Sequence, residues 1–164
     1  MVKDPQIILI DGPAGAGKTT LSLKLQSELN CQVIHLDYVY DGWDGAFGEG
    51  LPQMLTSLIA TIKSGKDFEL PVFNWDSMSF DSTRVISAGE VLIIEGVGAG
   101  QSSVRALGSK LYWVEVEDAI GLQRVLDRDG FEIEKQMRRW KEREAEHFRQ
   151  ERTRDFADFI ISTT

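Results

Sequence analysis

Short apolar runs alternate with stretches of longer period along the chain. Residues 7–10 (IILI) and 91–94 (VLII) contain no polar side chain, the pattern of strands buried on both faces. Residues 32–36 and 111–116 read as two further strands, and residues 159–161 as a short last one. Leu21, Leu25 and Leu29, with Leu23 nearby, recur at helical spacing, and that helix ends near Asn30. Residues 51–63 predict a helix with Pro52 in its first turn and Gly65 as its stop. Residues 102–107 predict a short helix, and Asp118 reads as the N-cap of another that runs through Arg128. A long charged helix is expected over about residues 132–152, where Ile133, Met137, Trp140 and Phe148 form a partial apolar stripe. Residues 71–75 and 83–87 suit a small hairpin. Alternation of this kind predicts an α/β fold: a doubly wound, parallel, five-stranded sheet with helices on both faces. Such sheets bind ligands beyond the carboxyl ends of their strands.

Composition narrows the partners. A chain of 164 residues, 42% apolar and 27% charged, predicts a single domain over residues 1–164 with a sizeable core. The net charge of −8 disfavours extended nucleic acid, which needs a basic face, but leaves room for a small polyanion held by local cations. Cys31 is the only cysteine, so neither an internal disulfide nor a thiolate zinc site is expected. The N-terminal apolar stretch is too short for a signal peptide and no window spans a bilayer, so a cytoplasmic protein without a membrane partner is expected.

One stretch carries chemistry by itself. Residues Gly12, Pro13, Ala14, Gly15, Ala16, Gly17, Lys18 and Thr19 fit G-x-x-x-x-G-K-[ST] at every fixed position, with a strand before and a helix after. The glycines let the backbone curl and turn its N–H groups toward phosphate oxygens, and the helix adds its positive end. Lys18 is expected on the outer phosphates and the Thr19 hydroxyl on a magnesium ion, while Thr20 serves packing or helix surface at the edge of the same nucleotide site. A guanine-reading N-K-x-D string is absent, which argues against a GTPase-type switch. The run at 91–94 ends in Glu95-Gly96 rather than Asp or Asp-Glu, which argues against a motor ATPase.

Acidic groups stand at neighbouring strand ends. Asp37 closes the second strand beside the phosphate loop, where it would take an acceptor hydroxyl's proton or hold the metal through water. Glu95 leaves an all-apolar strand for the cleft and needs a cation or donors there, so it is a candidate for the metal's surroundings or a substrate hydroxyl. Arg124 and Arg128 share one helical face with like charge, which a common anionic ligand or the nearby Asp127 and Asp129 would offset. His35 reads as a core histidine and His147 as a surface one, and Arg138, Arg139, Lys141 and Arg143 are further candidates for phosphate contacts.

These strings resemble the uridine kinase and phosphoribulokinase group of P-loop kinases. The phosphate loop, then DYVY at 37–40, PVFNW at 71–75, EG at 95–96 and RVLDRD at 124–129 occur in that family's order and span most of the chain. The resemblance implies ATP-dependent phosphorylation of a hydroxyl on a small acceptor, with magnesium. It implies that Asp37 is the base, that Glu95 lies near magnesium, and that Arg124 and Arg128 belong to a lid over about residues 124–139. It also implies that Tyr40 sits near a sugar. Uridine kinases carry an aromatic-Asp-aromatic hairpin followed by a histidine that contacts the base. Here the hairpin is Phe73-Asn74-Trp75 and Met78 stands near the histidine position, so Phe73 and Trp75 remain as base-stacking candidates or as one face of core packing. Trp43, in the glycine-rich acidic loop 41–45, either closes over substrate or anchors the loop. The expectation is a kinase acting on a nucleoside such as uridine. A cytidylate-like nucleoside monophosphate kinase is the second expectation, weakened because no arginine lies between Asp37 and Arg84. A non-catalytic nucleotide-binding regulator is the third, and the sequence does not choose between monomer and homo-oligomer.

Overall fold

The computed structural model describes residues 4–164. The strands are β1 (Gln6–Asp11), β2 (Gln32–His35), β3 (Phe68–Asn74), β4 (Ser79–Ile86), β5 (Val91–Glu95), β6 (Lys110–Glu115) and β7 (Phe159–Ser162). The helices are α1 (Lys18–Leu29), α2 (Gly42–Gly45), α3 (Gly50–Lys63), α4 (Ser102–Arg105), α5 (Asp118–Asp129) and α6 (Glu134–Glu151). A parallel five-stranded sheet in the order β2-β5-β1-β6-β7 forms the centre, and β3 and β4 make a separate antiparallel hairpin.

The alternation of side chains in β1 explains why both sheet faces are covered. Ile7 and Leu9 point into a core shared with Leu55, Leu58 and Ile62 of α3, while Ile8 and Ile10 point into a second core that Leu21 and Leu25 of α1 close. Leu23 and Leu29 of α1 are exposed instead, so that helix buries a narrower stripe than its leucines suggest. Because β1, β2 and β5 pair in parallel, their carboxyl ends open toward one side.

Several expected boundaries shift. Leu36 belongs to a 3₁₀ turn at Leu36–Tyr38 rather than to β2, which turns Asp37 away from the sheet. Asp118 is the first residue of α5, and Glu117 precedes it without a side-chain cap bond. The hairpin is longer than expected and carries an irregularity between Val72 and Phe73. The charged helix starts only after Gly130 (φ 102°) and a 3₁₀ turn at Phe131–Ile133, which divides residues 124–139, expected as a lid, into the end of α5, a bend and the start of α6. Among the described residues, no helix is long and apolar enough to cross a membrane.

Candidate active site

The phosphate loop follows β1 because two of its glycines are sterically required. A Cβ on Gly12 would run into the Val114 carbonyl, and one on Gly15 (φ 80°) into the Gly121 backbone. Beneath the loop, Asp11 is fully buried and accepts from the N–H groups of Gly12 (2.7 Å), Gly98 (3.1 Å) and Gly100 (2.8 Å). Burial pushes its carboxyl up to about 6, although those N–H groups and Lys18 pull the other way. Asp11 thus ties the start of the loop to the segment after β5. It lies in the string IDG, and a carboxylate at a strand end just before a turning glycine was the available signal.

Loop N–H groups divide by what they meet. Those of Gly12, Ala14 and Ala16 bond to Asp11, Glu144 and the Pro13 carbonyl. Those of Gly15, Gly17, Lys18 and Thr19 have no protein acceptor among the described residues, which is the geometry of an anion cradle. Lys18 is buried with Nζ donating to the Pro13 carbonyl at 2.8 Å. Burial holds its ammonium below the ordinary lysine range, and Glu144, Glu95, Asp11 and Asp37 oppose that.

A cavity of about 970 Å³ opens above this cradle. Ala14, Gly15, Gly17, Lys18, Thr19 and Thr20 line its floor, whereas Gly12, Pro13 and Ala16 are buried underneath and shape the loop instead of facing the cavity. Glu95 and His35 meet across the β2–β5 register, with His35 Nδ1 at 2.6 Å from Glu95 Oε1. The same oxygen accepts the Thr19 hydroxyl at 3.1 Å. His35 also lines the cavity, so it is not a core histidine. The sequence hid this role because the residue sits inside an apolar strand run.

Asp37 faces the cavity from the 3₁₀ turn after β2. The surrounding protein and the nearby Glu95 carboxylate push its carboxyl above the usual range, against the pull of Lys18 and Arg128. Arg124 and Arg128 both line the cavity. Arg124 Nη1 donates to the Gly15 carbonyl (3.1 Å) and to Thr163 Oγ1 (3.0 Å), while Arg128 forms a two-pronged pair with Asp129 at 2.8 Å on each arm. Asp127 accepts from Gln123 and takes no part in that pairing.

Another wall of the cavity is largely aromatic. Tyr40, Trp43, Trp75, Met78, Ile133, Met137 and Trp140 reach it from separate segments. Trp43 packs edge-on to Trp75 at 5.3 Å between ring centres and to Trp140 at 6.0 Å. Tyr40 is buried and its hydroxyl donates to the Val97 carbonyl at 2.7 Å, so that hydroxyl is already engaged. Phe73 is a correction: it is 2% exposed, packs on Trp75 and Phe80, and does not line the cavity. β3 ends at Asn74, so Trp75 lies beyond the strand and turns into the cavity, where its Nε1 donates to the Asp37 carbonyl at 2.7 Å. His147 is also corrected: it is half-buried against Phe47 and Phe148.

Among the described residues, no group of three or more His, Cys, Asp or Glu side chains is arranged to hold a metal by itself. The Thr19 hydroxyl and the Glu95 carboxylate are nonetheless oxygen donors beside the cradle. Magnesium is usually held by one or two protein oxygens together with phosphates and waters, so this donor set fits it.

Comparison with known proteins bears on the same elements. Residues 8–149 match the model of the AAA domain family. A uridine kinase from Limosilactobacillus reuteri (strain DSM 20016) is 26% identical over 147 residues, covering 79% of this chain and 67% of that protein. A structure described as a possible uridine kinase from Bacillus stearothermophilus superposes with a TM-score of 0.69 at 18% identity, covering 98% of this chain and 90% of the other. Shikimate kinase from Acinetobacter baumannii in complex with shikimate superposes with a TM-score of 0.56 at 19% identity, covering 98% and 84%.

Proposed function

The chain belongs to the AAA domain family, and we propose that it is an ATP-dependent kinase that phosphorylates a hydroxyl of a small acceptor, a nucleoside such as uridine being the leading one. The observation that carries this reading is the union, in one cavity, of an anion cradle, the Asp37 and Glu95 carboxylates and a largely aromatic wall. The similarity to a uridine kinase supports it. In this reading the N–H groups of Gly15, Gly17, Lys18 and Thr19 and the Lys18 ammonium bind the ATP phosphates. Thr19 and Glu95 would hold magnesium, with Asp37 reaching it through water, and the ion when bound neutralises charge on the phosphates. Asp37 takes the proton of the acceptor hydroxyl, and a carboxyl held above its usual range is the stronger base for that work. Arg128 leaves Asp129 to meet the transferring phosphoryl group, while Arg124 braces the loop at the Gly15 carbonyl.

The cavity's cations are Lys18, Arg124 and Arg128, and none belongs to the aromatic wall. That wall suits an acceptor with a flat ring and without a phosphate of its own, which supports a nucleoside over a nucleoside monophosphate. The test is ADP release from magnesium-ATP across a panel of nucleosides, nucleoside monophosphates and sugars. Release that depends on a nucleoside and falls about a thousandfold or more in Lys18→Ala is expected. A preference for monophosphates would move the assignment to a nucleotide kinase, and nucleotide binding without any acceptor-dependent release would leave a regulator.

A further inference from the structure

Helix α6 touches both ends of the cavity within a little more than one turn. At the phosphate end, the Glu144 carboxylate is 2% exposed and accepts from three donors. Ala14 N–H (3.1 Å) and Trp140 Nε1 (3.0 Å) meet Oε1, and Lys141 Nζ (2.9 Å) meets Oε2. At the acceptor end, Arg143 donates from Nη1 to the Trp43 carbonyl and from Nη2 to the Asp44 carbonyl, each at 3.0 Å. Trp140, one turn before Glu144 and on the same face, forms part of the aromatic wall beside Tyr40 and Trp43.

A buried carboxylate beside an anion cradle is an unusual neighbour. Its three donors satisfy it, yet a nucleotide brings several negative charges to the same loop, and like charges repel strongly where water is scarce. Glu144 is also the acid whose charge most supports the protonated Lys18. Phosphates held on the loop bring charge of Glu144's own sign next to its bond with Ala14, while Lys141 stays paired with its other oxygen. The bond to Ala14 is then the contact under stress, and the helix that carries it also carries Trp140 and Arg143.

We infer that Glu144 is a positioning residue that, through its bond to Ala14, passes nucleotide occupancy along α6, through Trp140 and Arg143, to the acceptor wall. This rests on the reading of the phosphate loop as a nucleotide site. Trp43, Trp75 and Trp140 line the acceptor wall, so tryptophan emission reports that wall without any knowledge of the acceptor, with Trp140 nearest the loop. Trp113 lies outside the cavity and contributes a background.

The experiment titrates parent, Glu144→Gln and Arg143→Ala with magnesium-ADP and a non-hydrolysable magnesium-ATP analogue, reading affinity by calorimetry and emission by fluorescence. In the parent, nucleotide binding changes the emission. Glu144→Gln keeps an oxygen for Ala14 but removes the charge, so it should bind the triphosphate about fivefold more tightly, gain less for the diphosphate, and lose most of the emission change. Arg143→Ala, cut at the acceptor end, should lose the emission change as well. Full emission changes in both variants, or a parallel weakening of both nucleotides in Glu144→Gln, would overturn the inference. So would a parent that binds nucleotide with no emission change. A parent that binds no nucleotide overturns the phosphate-loop reading first, and this inference with it.

Discussion

The end of the cavity proposed to hold phosphate is shaped by one continuous stretch, residues 12–20, whereas the end proposed to hold the acceptor is assembled from Tyr40, Trp43, Trp75, Met78, Ile133, Met137 and Trp140 on separate elements. The first works mainly through backbone N–H groups and charge, the second through aromatic surface. A backbone cradle demands particular residues at fixed spacing, because only glycine tolerates the approach of the Val114 and Gly121 backbones to Gly12 and Gly15. An aromatic wall demands only bulk in the right place, and the chain can supply that from anywhere. Chemistry is therefore expected to fail abruptly when the first end is altered, and selectivity to drift when the second is.

After Lys18→Ala, the strongest break within the cavity is Asp37→Asn, which keeps the shape and removes charge and basicity. A loss of about a hundredfold in kcat is expected, the scale of a general base. Asp37 is held above the usual carboxylate range by its surroundings and by Glu95, and only its deprotonated form accepts a proton. The rate of the parent should therefore fall on the acid side at a higher pH than an ordinary carboxylate gives, and the variant should lack that limb. A defect confined to KM would instead mark Asp37 as a uniform binding group.

A smaller loss, about tenfold in kcat, is expected for Arg128→Lys, because an ammonium cannot reproduce the forked donors that now hold Asp129. Arg149 supplies the control: it is exposed on α6, paired with Glu146, and outside the cavity. Equal and small effects at Arg128 and Arg149 would make the end of α5 a solvated helix and move the phosphate chemistry elsewhere.

The same contrast explains how much of the molecule was legible in the sequence. The parallel sheet followed from all-apolar runs such as 91–94, since strands buried on both faces admit little else. The cradle followed from a motif whose spacing is fixed by backbone geometry. Three partners did not follow, because each gains its role through a distant contact. His35 meets Glu95 across the strand register, Asp11 ties down Gly98 and Gly100, and Glu144 reaches Ala14 from 130 positions away. Phe73 and Trp75 show a subtler failure. Two residues apart in one strand would share a face, but β3 stops at Asn74, so Phe73 remains in the core and Trp75 turns into the cavity. The end of a strand is decided by its hairpin partner, which local pattern does not encode.

The mildest and most selective break lies at Trp43. Its ring meets Trp75 and Trp140 edge-on, and its carbonyl is held by Arg143, so backbone and ring are fixed separately. Trp43→Ala removes the ring and leaves the carbonyl in place. The wall then loses aromatic surface worth about 1–2 kcal/mol to a flat acceptor. Acceptor KM should rise about tenfold, with kcat and the KM for ATP nearly unchanged, because the cradle contributes none of that surface. Trp43→Phe should recover much of the loss, since a smaller ring still meets Trp75. Steady-state kinetics with both substrates varied separates these outcomes. If Trp43→Ala raised the KM for ATP as much as that for the acceptor, the aromatic wall would belong to the nucleotide, and the division of the cavity into two ends would have to be reversed.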